Sequence, residues 1–391
     1  MDNRLFESLV TIRRQLHQNP ELGFKEFKTS ALVQEQLHAL DISFEGVAGT
    51  GVIGALKKGQ GPTIVLRADM DALPILEDTD LPFHSLTPGV MHACGHDLHT
   101  TMLLGAAHLL KDAPFEGTVK LAFQPSEESS ARSPERGKSG GQIMIESGKL
   151  NDAQAALGLH VNPLLPVGQI AYKNGESLAN VSNFSITITG KGGHPGAMEN
   201  LIDPVLISAH LIVEAQSIIS HTAPLQPAVL AFTHTQSLAN PSFNVIPQSV
   251  LLQGSLRALN IDTYQKLVAR LRSLLKGMEM VYGCQIELDF SAYYPSLLND
   301  PAVQDMLAPV QEKIFGKKNV IEGTGQLLGE DFAFFSRLMP SQFYFLGAKT
   351  EQNNSFFLHH PKVTFNEDCI KFGAAFLAEG ALALLSAYSV V

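Results

Sequence analysis

The chain has no tryptophan, few cysteines and a shortage of positive charge. The missing tryptophan decides nothing by itself, but the other two shortages exclude whole classes. Cys94, Cys284 and Cys369 are an odd, sparse set, which is no disulfide framework and points to a reducing compartment. Lys and Arg total 28 against 38 Asp and Glu, for a net charge of −10. A protein that grips phosphate backbones usually carries a basic excess, so no nucleic-acid partner is expected. A small anionic substrate stays open, because one local Arg is enough to bind it. The N-terminus, Met-Asp-Asn-Arg-Leu-Phe-Glu, lacks a basic-then-apolar leader, and a cytoplasmic location is expected. A membrane span needs about 20 mainly apolar residues. The stretch from Ala374 to Val391 comes near, but Glu379 and Gly380 interrupt it. It reads as a packed terminal helix, with no membrane contact.

What the chain does have is pattern. Its 391 residues suffice for at least two domains. Leu5, Leu9, Ile12 and Leu16 recur at helical spacing, which predicts a helix over 4–18, and a second is expected over 25–40. Strands are predicted from Gly51 to Leu56, Thr63 to Ala68, Gly117 to Phe123 and Ala155 to Leu159, with a helix from Thr100 to Leu110. Asp69 and Asp71 follow the second strand, Glu127 and Glu128 the third, and His160 the fourth. In open α/β sheets, sites are built at that edge. In the middle of the chain, Phe184, Ile186 and Ile188 alternate with Ser185, Thr187 and Thr189, the period of a half-exposed strand. A helix at about 201–220, strands at 227–234 and 248–257, a helix at about 262–281 and a strand at 284–290 complete a βαββαβ order, the ferredoxin-like unit. The expected organisation is an α/β catalytic domain in two pieces, 1–177 and 293–391, around an inserted domain, 178–292. One polar segment, Ser129 to Gly141, carries Arg132, Arg136 and Lys138. It reads either as a solvated loop or as a loop at the site mouth.

The chemistry concentrates in short runs. Cys94-Gly95-His96-Asp97 offers a thiolate and an imidazole around a glycine turn, which suits a metal. His92 and His99 flank it and could be ligands, although one site cannot use every His, and Asp97 fits a helix N-cap. Glu127-Glu128 offers adjacent carboxylates, of which one can bind metal and the other carry protons; in isolation the pair reads sooner as surface charge. Asp69 and Asp71 could simply cap or turn a loop. His160 adds an imidazole, and His359-His360 adds one or two that residue type alone does not separate. A zinc deaminase is excluded, because the Pro-Cys-x-x-Cys run it requires is absent.

Taken together, these runs resemble a known family: the dinuclear-metal amidohydrolases that include aminoacylases, hippurate hydrolases and auxin-conjugate hydrolases, within the zinc-exopeptidase superfamily. The resemblance rests on Arg14-Gln15-Leu16-His17 with Pro20-Glu21-Leu22, Arg67-Ala68-Asp69-Met70-Asp71-Ala72-Leu73-Pro74 and Met91-His92-Ala93-Cys94-Gly95-His96-Asp97. It continues through Gln124-Pro125-Ser126-Glu127-Glu128, Gly158-Leu159-His160, Gly190-Lys191-Gly192-Gly193-His194, Asn244-Val245-Ile246-Pro247, Gly329-Glu330-Asp331-Phe332 and His359-His360-Pro361, in family order over nearly the whole chain.

The resemblance implies a zinc-exopeptidase-like catalytic domain with a mixed central sheet, and an inserted lid or dimerisation domain. It implies Cys94, His96, Glu128, His160 and His359 as ligands of two divalent metal ions, zinc or else manganese or cobalt. Glu127 is then the general base, His194 the oxyanion donor, and Asn244 lines the site. Arg257 is the natural partner for a substrate carboxylate, since a guanidinium fork matches one, although an Arg at a strand end can also be plain surface. The expected activity is hydrolysis of N-acyl amino acids or related conjugates by a homodimer. The alternative is a dipeptidase or carboxypeptidase of the same superfamily. Pro195-Gly196-Ala197-Met198-Glu199 after His194, His221 after Ser220, and the length of the Ser129–Gly141 loop depart from the family pattern and leave the substrate open.

Overall fold

The structure is a computed structural model and describes residues 1–128, 137–223, 225–238, 242–351 and 356–389. Most of the Ser129–Gly141 loop, residues 129–136, therefore lies outside the described residues. The chain divides into two compact units. The first comprises Met1–Gly175, Leu298–Thr324 and Asp331–Val391; the second comprises Glu176–Leu297 and Gly325–Glu330.

The first unit is built on an eight-stranded mixed sheet. Its strands run Ser43–Val47, Gly51–Lys58, Gly117–Gln124, Thr63–Asp69, Ala155–Asn162, Ser341–Gly347, Ile170–Tyr172 and Val320–Glu322 from edge to edge. Thr63–Asp69 sits between two parallel partners, Gly117–Gln124 and Ala155–Asn162. Ser341–Gly347 continues the parallel run beside Ala155–Asn162. A strand covered on both faces cannot alternate apolar with polar, and all seven residues of Thr63–Asp69 are buried. Two of them, Arg67 and Asp69, are charged, and nothing but a buried partner makes that tolerable.

Helix Asn3–Gln18 starts on an Asp2 cap, whose carboxylate accepts from Leu5 N at 2.8 Å. It buries Leu9, Ile12 and Leu16, three of the residues whose spacing predicts it. Helix Phe27–Ala39 is capped differently. Glu26, at the cap position, makes no cap bond, and the Glu21 carboxylate accepts from Lys28 N and Thr29 N instead.

The terminal helix begins at Cys369, earlier than the apolar run suggests, and extends to Ser389. Among the described residues it is the one helix long and apolar enough to cross a membrane, and 61% of its apolar window is buried inside the fold. Much of that burial is against helix His96–Asp112, which starts at the Cys94 loop. Gly105 makes the close approach possible: a Cβ there would lie 2.8 Å from Ala374 Cβ and 2.9 Å from Leu9 Cδ1.

The second unit has its own core. Its strands follow the order Gln285–Tyr294, Asn180–Thr189, Ser249–Ala258, Ala228–Ser237, all antiparallel, with helices Pro204–Thr222 and Ile261–Tyr282. Phe184, Ile186 and Ile188 point into that core as their alternation requires. Leu267, Leu271 and Leu275 bury one stripe of the second helix, which stops at Gly283 with φ of 65°.

Gly105→Val should destabilise the first unit by about 1–3 kcal/mol, the usual cost of forcing atoms into a packed core. Urea unfolding of the variant against the unmodified chain checks this; equal midpoints would mean the two helices can move apart freely.

Candidate metal centre

Four segments meet at the carboxyl ends of the parallel strands. Arg67 stands opposite Gly158 and Asp69 opposite Gln124, so the chain leaves neighbouring strands at one edge. Past Gln124 the backbone turns through Ser126, whose φ of 44° is left-handed, and delivers Glu127 and Glu128. His160 lies near the end of strand Ala155–Asn162. Cys94 and His96 flank Gly95, the N-cap of helix His96–Asp112 with φ of 85°. A Cβ on Gly95 would lie 2.3 Å from Val161 Cγ2, so only glycine satisfies both the turn and the contact. His359 is left-handed as well, with φ of 66°, and its N–H donates to Ala93 O at 2.9 Å, tying the late segment to the Cys94 loop.

The side chains converge. His160 Nε2 and His359 Nε2 each lie 3.3 Å from Cys94 Sγ. Glu128 Oε1 lies 2.9 Å from His359 Nε2 and 3.9 Å from His96 Nε2. Cys94, His96 and His160 have donor atoms within 4.8 Å of one another, as do Cys94, Glu128 and His359, and His96, Glu127 and Glu128. The structure thus places Cys94, His96, Glu127, Glu128, His160 and His359 in one cluster. It also separates the adjacent histidines: the His360 ring stacks on Phe356 at 4.2 Å, and its Nδ1 accepts from Lys362 N.

Two of the three rings are oriented by their other nitrogen. His160 Nδ1 donates to Val161 O at 2.8 Å, which leaves the Nε2 lone pair facing Cys94. His96 Nδ1 lies 3.2 Å from Asp71 Oδ1, and its buried Nε2 has no hydrogen-bond partner. A carboxylate or carbonyl behind an imidazole is the common way to aim a metal-binding nitrogen.

The electrostatics ask for a cation. Burial alone would lower the pKa of His96, but the Asp69 charge and the Asp71 hydrogen bond outweigh it and push the ring up to about 10. Burial, with Glu128 and Glu127 nearby, pushes the Cys94 thiol well above its usual range. A thiolate at this position therefore needs positive charge beside it, which a divalent metal supplies. The donor set of one thiol, three imidazoles and a carboxylate fits such an ion, as does the partnerless Nε2 of His96.

Several residues have roles that their types alone left open. Asp71 is not a loop cap. Its Oδ1 accepts from Glu127 N at 3.0 Å and its Oδ2 from Glu128 N at 3.1 Å, while Oδ1 also faces His96. Asp69 takes His99 Nδ1 at 2.5 Å and Arg67 Nη1 at 2.8 Å. His99 Nε2 accepts from Val161 N, so both its nitrogens are used within the fold. His92 is buried near the cluster, and its two nitrogens have no hydrogen-bond partner. Asp97 was expected at the N-cap, but Gly95 holds that position. Asp97 is buried in the first turn and meets Arg13 Nε at 2.9 Å and His17 Nδ1 at 2.8 Å. Arg13 and His17 hold its carboxyl far below the usual range, against the effect of burial.

A profile of peptidase family M20/M25/M40 matches residues 65–383, which includes every element of this cluster. The chain belongs to that family. It is 38% identical over 382 residues to the IAA-amino acid hydrolase ILR1-like 5 of Arabidopsis thaliana, covering 95% of this chain and 86% of the relative. It is 36% identical over 394 residues to the N-acetylcysteine deacetylase of Bacillus subtilis, covering 98% of each. Thermostable carboxypeptidase 2 of Saccharolobus solfataricus is 37% identical, covering 96% of this chain and 94% of the relative. A solved structure of the Bacillus subtilis YXEP protein, described as a dinuclear metal-binding peptidase of family M20, superposes with a TM-score of 0.83 at 33% identity, covering 98% of this chain and 99% of that one. This M20 chain is accordingly a metal-dependent hydrolase.

The remaining predicted site residues lie in the second unit. His194 is exposed, and its Nδ1 accepts from Gly196 N at 3.0 Å, so the proton of the neutral ring sits on Nε2. Gly193 and Ile246 exchange backbone hydrogen bonds of 3.1 and 2.9 Å, which pairs the His194 run with the Asn244 run. Asn244 is exposed, and its Oδ1 accepts from Ser242 Oγ. Arg257 is half-buried and donates to Leu327 O at 2.8 Å. Among the described residues no carboxylate forms an ion pair with it.

Cys94→Ala and His160→Ala should each lower the bound metal of the M20 enzyme and abolish turnover. Elemental analysis of the purified variants reads this directly. Full metal content with unchanged rates in both would remove these residues from the centre.

Proposed function

We propose that the enzyme hydrolyses the amide bond of N-acyl amino acids or related amino-acid conjugates, with Glu127 as general base. The observation that supports this reading is the different surroundings of the two adjacent carboxylates. Glu128 lies against His359 and His96, while Glu127 adjoins the same cluster and its Oε1 accepts from Asp331 N at 3.3 Å. Cys94, His96, Glu128, His160 and His359 would hold two divalent metals, zinc or else manganese or cobalt. Such ions, when bound, acidify water and polarise a carbonyl.

Glu127 takes the proton of the attacking water and returns it to the departing amine. The Nε2–H of His194 is a donor suited to a tetrahedral oxyanion. Asn244, on the run paired with that of His194, is a further candidate for substrate binding. Arg257, half-buried and without an acidic partner among the described residues, suits the substrate carboxylate. The names of the Arabidopsis and Bacillus relatives share this substrate class, an acyl group on an amino acid. The two Saccharolobus relatives, thermostable carboxypeptidases 1 and 2, favour the carboxypeptidase reading instead.

We read the second unit as a ferredoxin-like lid and dimerisation domain, from its fourth-first-third-second strand order. Its helix Pro204–Thr222 leaves Val205, Leu206 and Val213 exposed, and strand Ala228–Ser237 is a sheet edge, as a homodimer contact would need. Three free, buried cysteines suit the cytoplasm.

The deciding assay sets N-acetyl and N-benzoyl amino acids beside unblocked dipeptides, using metal-loaded enzyme. Turnover of the blocked amides is expected; turnover of dipeptides alone would replace this reading with the peptidase one.

Glu127→Gln should keep its metal and lose about 100-fold or more in kcat, the scale of a positioned general base. Glu128→Gln should instead lose metal. Swapped phenotypes would reverse the two roles. His194→Ala should lower kcat at unchanged metal content, because an oxyanion contact forms mainly in the transition state. An unaltered kcat would take His194 out of the reaction.

A further inference from the structure

We propose that Glu26 is a positioning residue for the base. Its buried carboxyl group fixes the backbone amide of Ser126 and thereby the direction in which Glu127 leaves the turn. This rests on the reading of Glu127 as general base.

Glu26 is fully buried and precedes helix Phe27–Ala39 at the position where an acid would normally cap it. It does not cap; Glu21 does that work. The Glu26 side chain turns away instead. Its Oε1 accepts from Ser126 N at 2.8 Å, 100 residues along the chain, and its Oε2 accepts from Thr50 Oγ1 at 2.5 Å.

Ser126 needs such a hold. Its φ of 44° lies in the left-handed region, which is unfavourable for a non-glycine residue. Gly23 closes the other side, since a Cβ there would lie 2.4 Å from Ser126 Oγ. Three successive amides are thus held by two buried acids: Ser126 N by Glu26, then Glu127 N and Glu128 N by Asp71. Two acids so placed oppose each other, and burial together with the Asp71 charge pushes Glu26 up to about 7.

Each replacement of Glu26 has a distinct expected effect. Glu26→Gln keeps an oxygen that can accept from Ser126 N. Glu26→Ala leaves that buried amide without an acceptor and frees the turn. Glu26→Asp keeps the charge but, one methylene shorter, withdraws the acceptor from its reach.

The test measures kcat, KM and metal content on metal-loaded full-length enzyme with an N-acetyl amino acid, alongside Glu127→Gln. Glu26→Ala is expected to lose about tenfold or more in kcat with KM and metal nearly unchanged, the scale on which a small misplacement of a reacting group is felt. Glu26→Gln should retain most of the kcat. Unimpaired Glu26→Ala, equal impairment of Ala and Gln, or loss of metal in Glu26→Ala would each overturn the proposal. If Glu26→Ala does not fold, the other pair decides: active Gln with impaired Asp supports it, and any other combination overturns it. Full kcat in Glu127→Gln would sink the base assignment itself. A loss in Glu127→Gln beside a normal Glu26→Ala sinks only the positioning role.

Discussion

Buried negative charge is the constraint around which the first unit is organised. Asp69, Asp71, Asp97, Glu26, Glu127 and Asp331 are all nearly or wholly inaccessible, most of them at one edge of the sheet. Burying an uncompensated carboxylate is expensive, so each must be paired, hydrogen-bonded or protonated. Arg67 answers for two of them, reaching Asp69 at 2.8 Å and Asp331 at 2.7 Å from the middle of a strand with no exposed residue. Arg13 and His17 answer for Asp97. The acids nearest His96 and Cys94 have less fixed positive charge to meet them. That deficit is what a pair of metal ions would fill, and it makes metal content and the integrity of this edge of the fold parts of one problem.

The same charges give the cluster its geometry. Asp71 joins a ring nitrogen of His96 to the backbone of Glu127 and Glu128, so the imidazole and the two carboxylates cannot move independently. Asp97 ties the first turn of helix His96–Asp112 to helix Asn3–Gln18, and so steadies the loop that carries Cys94. Glycine enters where the backbone has no room: Gly95 beside Val161 and Gly23 beside Ser126. The donors are held by neighbours that are themselves held, which is how a site keeps its shape.

The second unit is organised on different terms. Its core is apolar, and its predicted site residues are surface or half-buried groups. His194 and Asn244 share a small two-segment arrangement fastened by the Gly193–Ile246 backbone pair. Such groups carry little of the fold's stability. They can vary without unfolding the unit. The departures after His194 fall in this region.

Periodicity and residue type determined a good deal by themselves. The spacing of Leu9, Ile12 and Leu16, and the alternation of Phe184, Ile186 and Ile188, set helix and strand, because each pattern reflects a local geometry that the chain carries with it. The runs around Cys94, Glu127 and His160 pointed to the chemistry only together, in the order of a known family, since each alone reads equally well as surface charge or core packing. Partnership was decided only by the tertiary structure. Which of His359 and His360 faces Cys94 depends on a left-handed residue and a bond to Ala93. Asp97 looked like a cap until a helix 80 residues earlier supplied its partner, His17. Asp71 reaches His96 across 25 residues, and Arg67 reaches Asp331 across 264. No local spacing encodes such pairs. They arise when segments distant along the chain fold against one another and bring charged groups into a volume too dry to leave any of them alone.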